Sequence, residues 1–164
     1  MATPTTLPAS FTAGQVLTAT QMNNLRGAFR VLQVVNAQYS TQVTSTTNTA
    51  ITSGLSATIT PSSTSSKILI SYSFACQKTG ASSQNSVGIQ LRRGASSIQA
   101  QANVGYMNLA SELYLVVPGI YLDSPNTTSA TTYELFFFSG ANTASALAQP
   151  GSNISNITLM EISA

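Results

Sequence analysis

The chain has no histidine, no tryptophan and one cysteine, Cys76, and only six basic and four acidic residues in a length of 164. Each scarcity excludes a chemistry. General acid-base catalysis needs a titratable group held beside a reacting atom, and a Ser-His-Asp arrangement needs histidine. Metal centres need clustered His, Cys or carboxylates. A glycosidase needs two carboxylates flanking the bond. The acids here are Glu112, Asp123, Glu134 and Glu161. Glu134 alternates with Tyr133 and Leu135 and is expected to face outward. There is no glycine-rich phosphate loop and no Ser-x-x-Lys, since Thr64 precedes Lys67 and Ala75 precedes Lys78 at that spacing. No catalytic, metal-binding or cofactor-binding residue is expected, and the chain reads as a structural or binding protein, not an enzyme.

Other absences narrow the partners. One cysteine cannot form an intrachain disulfide, and Cys76, ending an apolar run, reads as a small buried hydrophobe. The net charge is +2. The bases Arg26, Arg30, Lys67, Lys78, Arg92 and Arg93 form no run beyond one pair, so nucleic-acid binding is not expected. No stretch approaches the ~18–20 apolar residues of a membrane span. Residues 1–8 show neither part of a secretory leader. Membrane insertion is therefore not expected, and the sequons at Asn126, Asn153 and Asn156 read as chance products of the composition.

What is present is 24 Ser, 22 Thr and 43% hydrophobic residues, enough for a core in one domain. Residues 1–10 hold two prolines and no periodicity, an extended arm. Thr18 and Gln21 fit a capping box, and Met22, Leu25, Phe29 and Leu32 follow at helical spacing. This predicts a helix over Ala19–Arg30, too short to hold itself together in water. From Val31 the period changes to two, which sets an N-terminal segment, 1–30, apart from a β-domain, 31–164.

Within that domain Val31–Asn36 reads as a strand, followed by a β-prone Thr-rich stretch. Leu55, Ala57 and Ile59 share a face before Pro61. Ile68, Ile70, Tyr72, Phe74 and Cys76 form a large inner face, and Val87, Ile89 and Leu91 another. A tight turn at RGAS returns the chain as a hairpin. SELYLVVPGIYLD reads as a strand broken by Pro118 and Gly119. TTYELFFFSG alternates, and NITLMEI sets Ile157 and Leu159 opposite Thr158, Met160 and Ile162. Together these make a mainly β fold of about eight strands, a jelly-roll-like antiparallel β-sandwich. Apolar residues on both faces of the strands at Leu113–Val117 and Glu134–Phe138 mark Tyr114, Val116, Phe136 and Phe138 as candidate subunit contacts. The alternative for the triple Phe run is that Phe137 points inward and its neighbours sit under loops.

The segments SGLSATITPSSTSSKILISYSF, VGIQLRRGASSI, LDSPNTTSATTYELFF and ITLMEI, in that order, resemble a β-domain recurrent in tailed-bacteriophage virion proteins of the tail-fibre, spike and related structural type. FTAGQVLTATQMNNL resembles a short N-terminal motif that precedes fibre or collar modules in phage structural proteins. The resemblance implies a homotrimer in the virion, made in the host cytoplasm. Its N-terminus would be attached to another phage structural protein of the capsid or tail, and its β-domain would point outward. It supplies no catalytic residues. Phe11, Leu17, Met22, Leu25 and Phe29 are the candidate attachment residues. An alternative makes the β-domain a receptor-binding module for host surface carbohydrate, through uncharged Tyr, Asn, Gln and Ser on loops at Lys78–Ser86, Gln101–Asn108 (with Tyr106) and Asn142–Asn153.

Overall fold

Alternating side chains build ten strands in a computed structural model that describes residues 14, 16, 18, 19, 31–79, 85–107, 111–140 and 144–163. They are β1 (Val31–Tyr39), β2 (Val43–Ser45), β3 (Ile51–Ile59), β4 (Lys67–Lys78), β5 (Asn85–Arg93), β6 (Ser96–Met107), β7 (Leu113–Asp123), β8 (Thr131–Ser139), β9 (Ala146–Ala148) and β10 (Ser155–Ile162). The one helical element with bounds among the described residues is a 3₁₀ turn at Pro150–Ser152. Of the segment expected to be helical, Ala19–Arg30, all but Ala19 lies outside the described residues, and that helix gains no support.

The strands form two sheets, antiparallel throughout. In the first, β1, β10 and β4 are neighbours in that order, and β7 lies on the far side of β4. The short β9 continues the line of β10 along β4 and pairs with β2. The second sheet runs β3-β8-β5-β6. One core joins them. Ile68, Ile70, Tyr72, Phe74, Cys76, Ile157 and Leu159 come from the first sheet, and Leu55, Ile59, Val87, Ile89, Leu91, Tyr133, Leu135 and Phe137 from the second. Burying each such side chain contributes roughly 1.5–3 kcal/mol. The Phe74 and Phe137 rings meet across the layers with centroids 6.2 Å apart, within the favourable range for tilted aromatic pairs.

Three sequence readings need correction. β7 is not broken at Pro118 and Gly119: it runs unbroken through both, with Pro118 opposite Ser73 and Gly119 opposite Tyr72. Among the described strands β7 pairs only with β4, and an edge strand tolerates a proline because half of its N–H groups have no ladder partner. Gly119 is required for space. A Cβ there would lie 2.0 Å from Cζ of Tyr72, whose ring crosses the glycine. The region Gln101–Asn108 is not a loop up to Met107 but the second half of β6. Its small residues, Gln, Ala, Asn, Val and Gly, hide the alternation. Asn142–Asn153 likewise contains β9 and the 3₁₀ turn.

The sandwich has two distinct ends. At one, Val31 pairs with Ile162 and Ile162 with Lys67, while Ile68 pairs with Asp123. At the other, Lys78 pairs with Leu113 and Ala146, and Val87 with Ser139. The strand ends that flank 79–84, 108–112 and 140–145 all lie at this second end.

Candidate interaction surface

Among the described residues, two of the acids, Glu161 and Asp123, are buried and hydrogen-bonded inside the fold. Glu161 is fully buried on the inner face of β10. Burial pushes its carboxyl up, but hydrogen bonds outweigh this and hold it at about 2. Ser62 donates from both its backbone N–H (2.7 Å) and its hydroxyl (2.6 Å) to Oε1, and Gln33 Nε2 donates to Oε2 (2.6 Å). Gln33 Nε2 also donates to the Thr60 carbonyl. The loop after β3 is thereby tied to β1 and β10.

One strand beyond Ile68, Asp123 accepts from Arg93 Nη1 at 3.0 and 2.8 Å and from the Tyr133 hydroxyl at 2.6 Å. Burial, then the bond to Asp123, raises the Tyr133 phenol far above its ordinary value. This cluster joins β7 of one sheet to β5 and β8 of the other. Burial pushes the Cys76 thiol up to about 12. Glu134 bonds the Thr52 hydroxyl on the outer face of the second sheet. Among the described residues no group of acids, His or Cys could hold a metal ion. The carboxylates act as structural fasteners.

The triple Phe run divides as strand alternation requires. Phe137 is buried in the core. Phe136 and Phe138 lie on the outer face of β8, and each is partly covered by its own sheet. The Arg92 guanidinium sits 4.0 Å from the Phe136 ring centroid, held over it by bonds to Gln90 Oε1. The Phe138 ring lies over Gly88, where a Cβ would meet it at 2.0 Å.

The outer face of the first sheet is different. On β7 the outward residues are Tyr114, Val116, Pro118, Ile120 and Leu122. Tyr114 is 60% exposed, Val116 67%, Ile120 64% and Leu122 52%. At the opposite edge Val34 is 57% exposed, with Val31 and Leu32 beside it. An apolar row, Val34–Met160–Leu69–Leu122, crosses the sheet between them. The rest of the face is uncharged: Asn36–Thr158–Ser71 and Gln38–Asn156–Ser73. Lys67, bonded to Ser124 at 2.9 Å, closes one end, and Glu112, bonded to Gln77, the other. Between them no charged side chain lies among the described residues of this face.

Of the candidate contacts read from the sequence, Tyr114 and Val116 thus lie exposed on one stripe. Phe136 and Phe138 lie on the other sheet and are not brought together with them. Phe11, Leu17, Met22, Leu25 and Phe29 lie outside the described residues. Ile120, Leu122 and Val34 were not singled out, although the alternation that exposes Ile120 and Leu122 continues straight through Pro118. Beside β7, where its edge parts from β6, a shallow groove of about 440 Å³ is lined by Tyr72, Gln99, Gln101, Pro118 and Ile120. The Tyr72 hydroxyl bonds Gln99 Oε1 there at 3.3 Å.

No protein-family model matches the chain, and no curated protein matches it. Among solved structures it is similar to a chain of the infectious bursal disease virus Gx strain, at 12% identity and a TM-score of 0.42, covering 80% of this chain and 37% of that one. It is similar also to the VP2 subviral particle of infectious bursal disease virus, at 12% identity and a TM-score of 0.42, covering 80% and 38%. The chain therefore spans less than two fifths of the length of these structures, and at this level of superposition the similarity carries no functional weight.

Proposed function

We propose that this chain is a virion structural protein: a short bacteriophage fibre, spike or decoration knob, homotrimeric, held on a capsid or tail protein through residues 1–30. Two sequence resemblances support the reading, one over the β-domain and one over Phe11–Leu25. The strand order supports the jelly-roll assignment. β1-β10-β4-β7 facing β3-β8-β5-β6 is the interleaving expected of two nested Greek keys.

The observation that carries the anchor-and-knob arrangement is the polarity of the domain. Residues 1–30 join at Val31, beside Ile162 and Lys67. The three stretches 79–84, 108–112 and 140–145, polar and with Glu112 as their one charged residue, join strands at the opposite end. A chain attached through its first thirty residues would present those loops away from the particle. No nucleic acid, membrane or cofactor has a part in this reading.

The test is incorporation of a chain starting at Val31 into particles assembled without the intact protein. The expected result is a folded, soluble protein absent from particles. Leu25→Ser with Phe29→Ser in the full chain should act like the deletion, since each change removes roughly 1.5–3 kcal/mol of apolar burial. Normal incorporation of the truncated chain would place attachment in the β-domain and end this reading. Antibody labelling of particles in electron micrographs separates capsid from tail.

A second reading, recognition of host surface carbohydrate, is favoured by the groove between β6 and β7. Its Gln99 and Gln101 amides and Ile120 offer uncharged hydrogen bonds beside an apolar wall, the mix that sugars require. Loss of glycan-array binding by Gln99→Ala with Gln101→Ala, set against binding by the parent chain, is the expected outcome.

A further inference from the structure

We infer that Pro118 guards the edge of β7 against strand-to-strand pairing with another copy of this chain. The inference goes beyond the virion reading and does not rest on it. An edge strand offers a row of unpaired N–H and C=O groups to any extended chain, and proteins blunt such edges with short strands, bulges, charges or proline. Among the described residues β1, β2, β3, β6 and β7 each pair on one side only. β2 has three residues. The register of β1 shifts between Val31 and Gln33, that of β3 between Thr52 and Ser56, and that of β6 with β5 at three places. β7 has none of these defences. It keeps one register with β4 over eleven pairs, from Ile68–Asp123 to Lys78–Leu113. No charged residue lies between Glu112 and Asp123 in the β-prone run LYLVVPGIYL. What interrupts this edge is Pro118, the middle residue of β7.

A glutamine fixes which way the proline faces. Gln99 belongs to β6, which stands beside β7 without pairing with it, and its Nε2 donates to the Ile120 carbonyl at 3.5 Å. A residue of an antiparallel strand sends its N–H and C=O to the same side, and alternate residues send them to opposite sides. Ile120, and with it Tyr114, Val116, Pro118 and Leu122, therefore direct their backbone groups away from β4. The unshifted register at Ser73–Pro118 agrees, since a proline turned toward β4 would cost a ladder bond. At the centre of the open edge the N–H is thus missing, and the ring carbon Cδ stands in its place. A strand approaching to the ~4.8 Å spacing of a sheet would meet that carbon and find no donor for its carbonyl. Without the proline, the partner this edge fits is a second β7. Antiparallel pairing about a two-fold axis at residue 118 is self-complementary. It sets Val116 opposite Ile120 and Tyr114 opposite Leu122, all exposed and apolar, and brings no like charges together along the run.

The experiment compares the full chain with Pro118→Val by light scattering and by amide hydrogen exchange resolved to single residues. In the parent, the amides of Tyr114, Val116, Ile120 and Leu122 should exchange fast, and those of Leu115 and Tyr121, turned toward β4, slowly. In Pro118→Val the four fast amides should become protected as concentration rises, and the mass should reach at least twice the parent's, with the parent's circular dichroism. Amide protection separates pairing of edges from contact between side-chain faces. Adding Val116→Lys to Pro118→Val should return both mass and exchange to the parent's values, because a lysine on the edge does the same work as the proline. Should Pro118→Val fail to fold, Pro118→Thr gives the same readout with a residue suited to an exposed strand position. A folded Pro118 variant with the parent's mass and exchange, a parent in which the four amides are already protected, or association that Val116→Lys does not reverse overturns the proposal.

Discussion

Cys76 illustrates how burial silences a reactive residue. Its sulfur is fully buried and its pKa is raised to about 12, so almost no thiolate exists at neutral pH, and the thiolate is the reactive form. A thiol reagent at pH 8 should leave the native chain unlabelled and label it in urea, and reductants should leave its melting temperature unchanged. Glu161 works in the opposite sense. Its folded pKa, about 2, lies below the ordinary 4.5. The unfolded chain thus takes up a proton before the folded one as pH falls. The stabilisation is complete above about pH 4.5 and is lost as pH falls through 2, with a total on the order of 2–4 kcal/mol. Glu161→Gln should lower urea stability at pH 7 and flatten the decline between pH 5 and pH 2. At Gly119 the constraint is volume. Gly119→Ala places a methyl where the buried Tyr72 ring lies, and a loss of about 1–3 kcal/mol in urea unfolding is expected from overpacking.

At the scale of elements, the two sheets are fastened by one charged cluster. Asp123 of β7 binds Arg93 of β5 and Tyr133 of β8. Asp123→Asn should cost roughly 2–4 kcal/mol, the lower part of the range for a broken buried pair, because Arg93 remains 35% open to solvent. Arg93→Met with Asp123→Leu together should cost less than Asp123→Asn alone, since no charge is then left buried; urea denaturation of the three proteins measures this. The cluster was not legible in the sequence. Asp123, Arg93 and Tyr133 lie on three strands, and only the pairing of Ile68 with Asp123 and of Arg93 with Tyr133 brings them to one end. The inner faces were legible, because Ile68, Ile70, Tyr72, Phe74 and Cys76, and Tyr133, Leu135 and Phe137, recur at a period of two, even though Leu69 and Phe136 make the outer faces apolar in places. β7 misled because Pro118 reads as a breaker wherever edge and central strands cannot be told apart, and that hid half of the exposed stripe. The second half of β6 misled because the mixed small and polar residues of Gln101–Gly105 show no period.

For the whole molecule, every described strand lies in 31–163, on one side of the division read from the sequence at residue 30. A chain starting at Val31 should therefore unfold in a single cooperative transition close in midpoint to that of the full chain, as calorimetry would show. A large drop would mean that residues 1–30 cover part of the β-domain.

One feature of the topology bears on how the chain is made. β10, the last strand in sequence, lies between β1, the first, and β4. During synthesis β1 has no partner on that side until residues 155–162 leave the ribosome, and loop closure over so long a stretch is entropically slow. The first sheet must therefore close late, once β10 has emerged, with the apolar inner face of β4 waiting open until then. Removing the final strand would split that sheet in two, not merely trim its edge. A stop or a frameshift within the codons for Ser155–Ile162 should accordingly deplete the protein as severely as a mutation in the middle of the core.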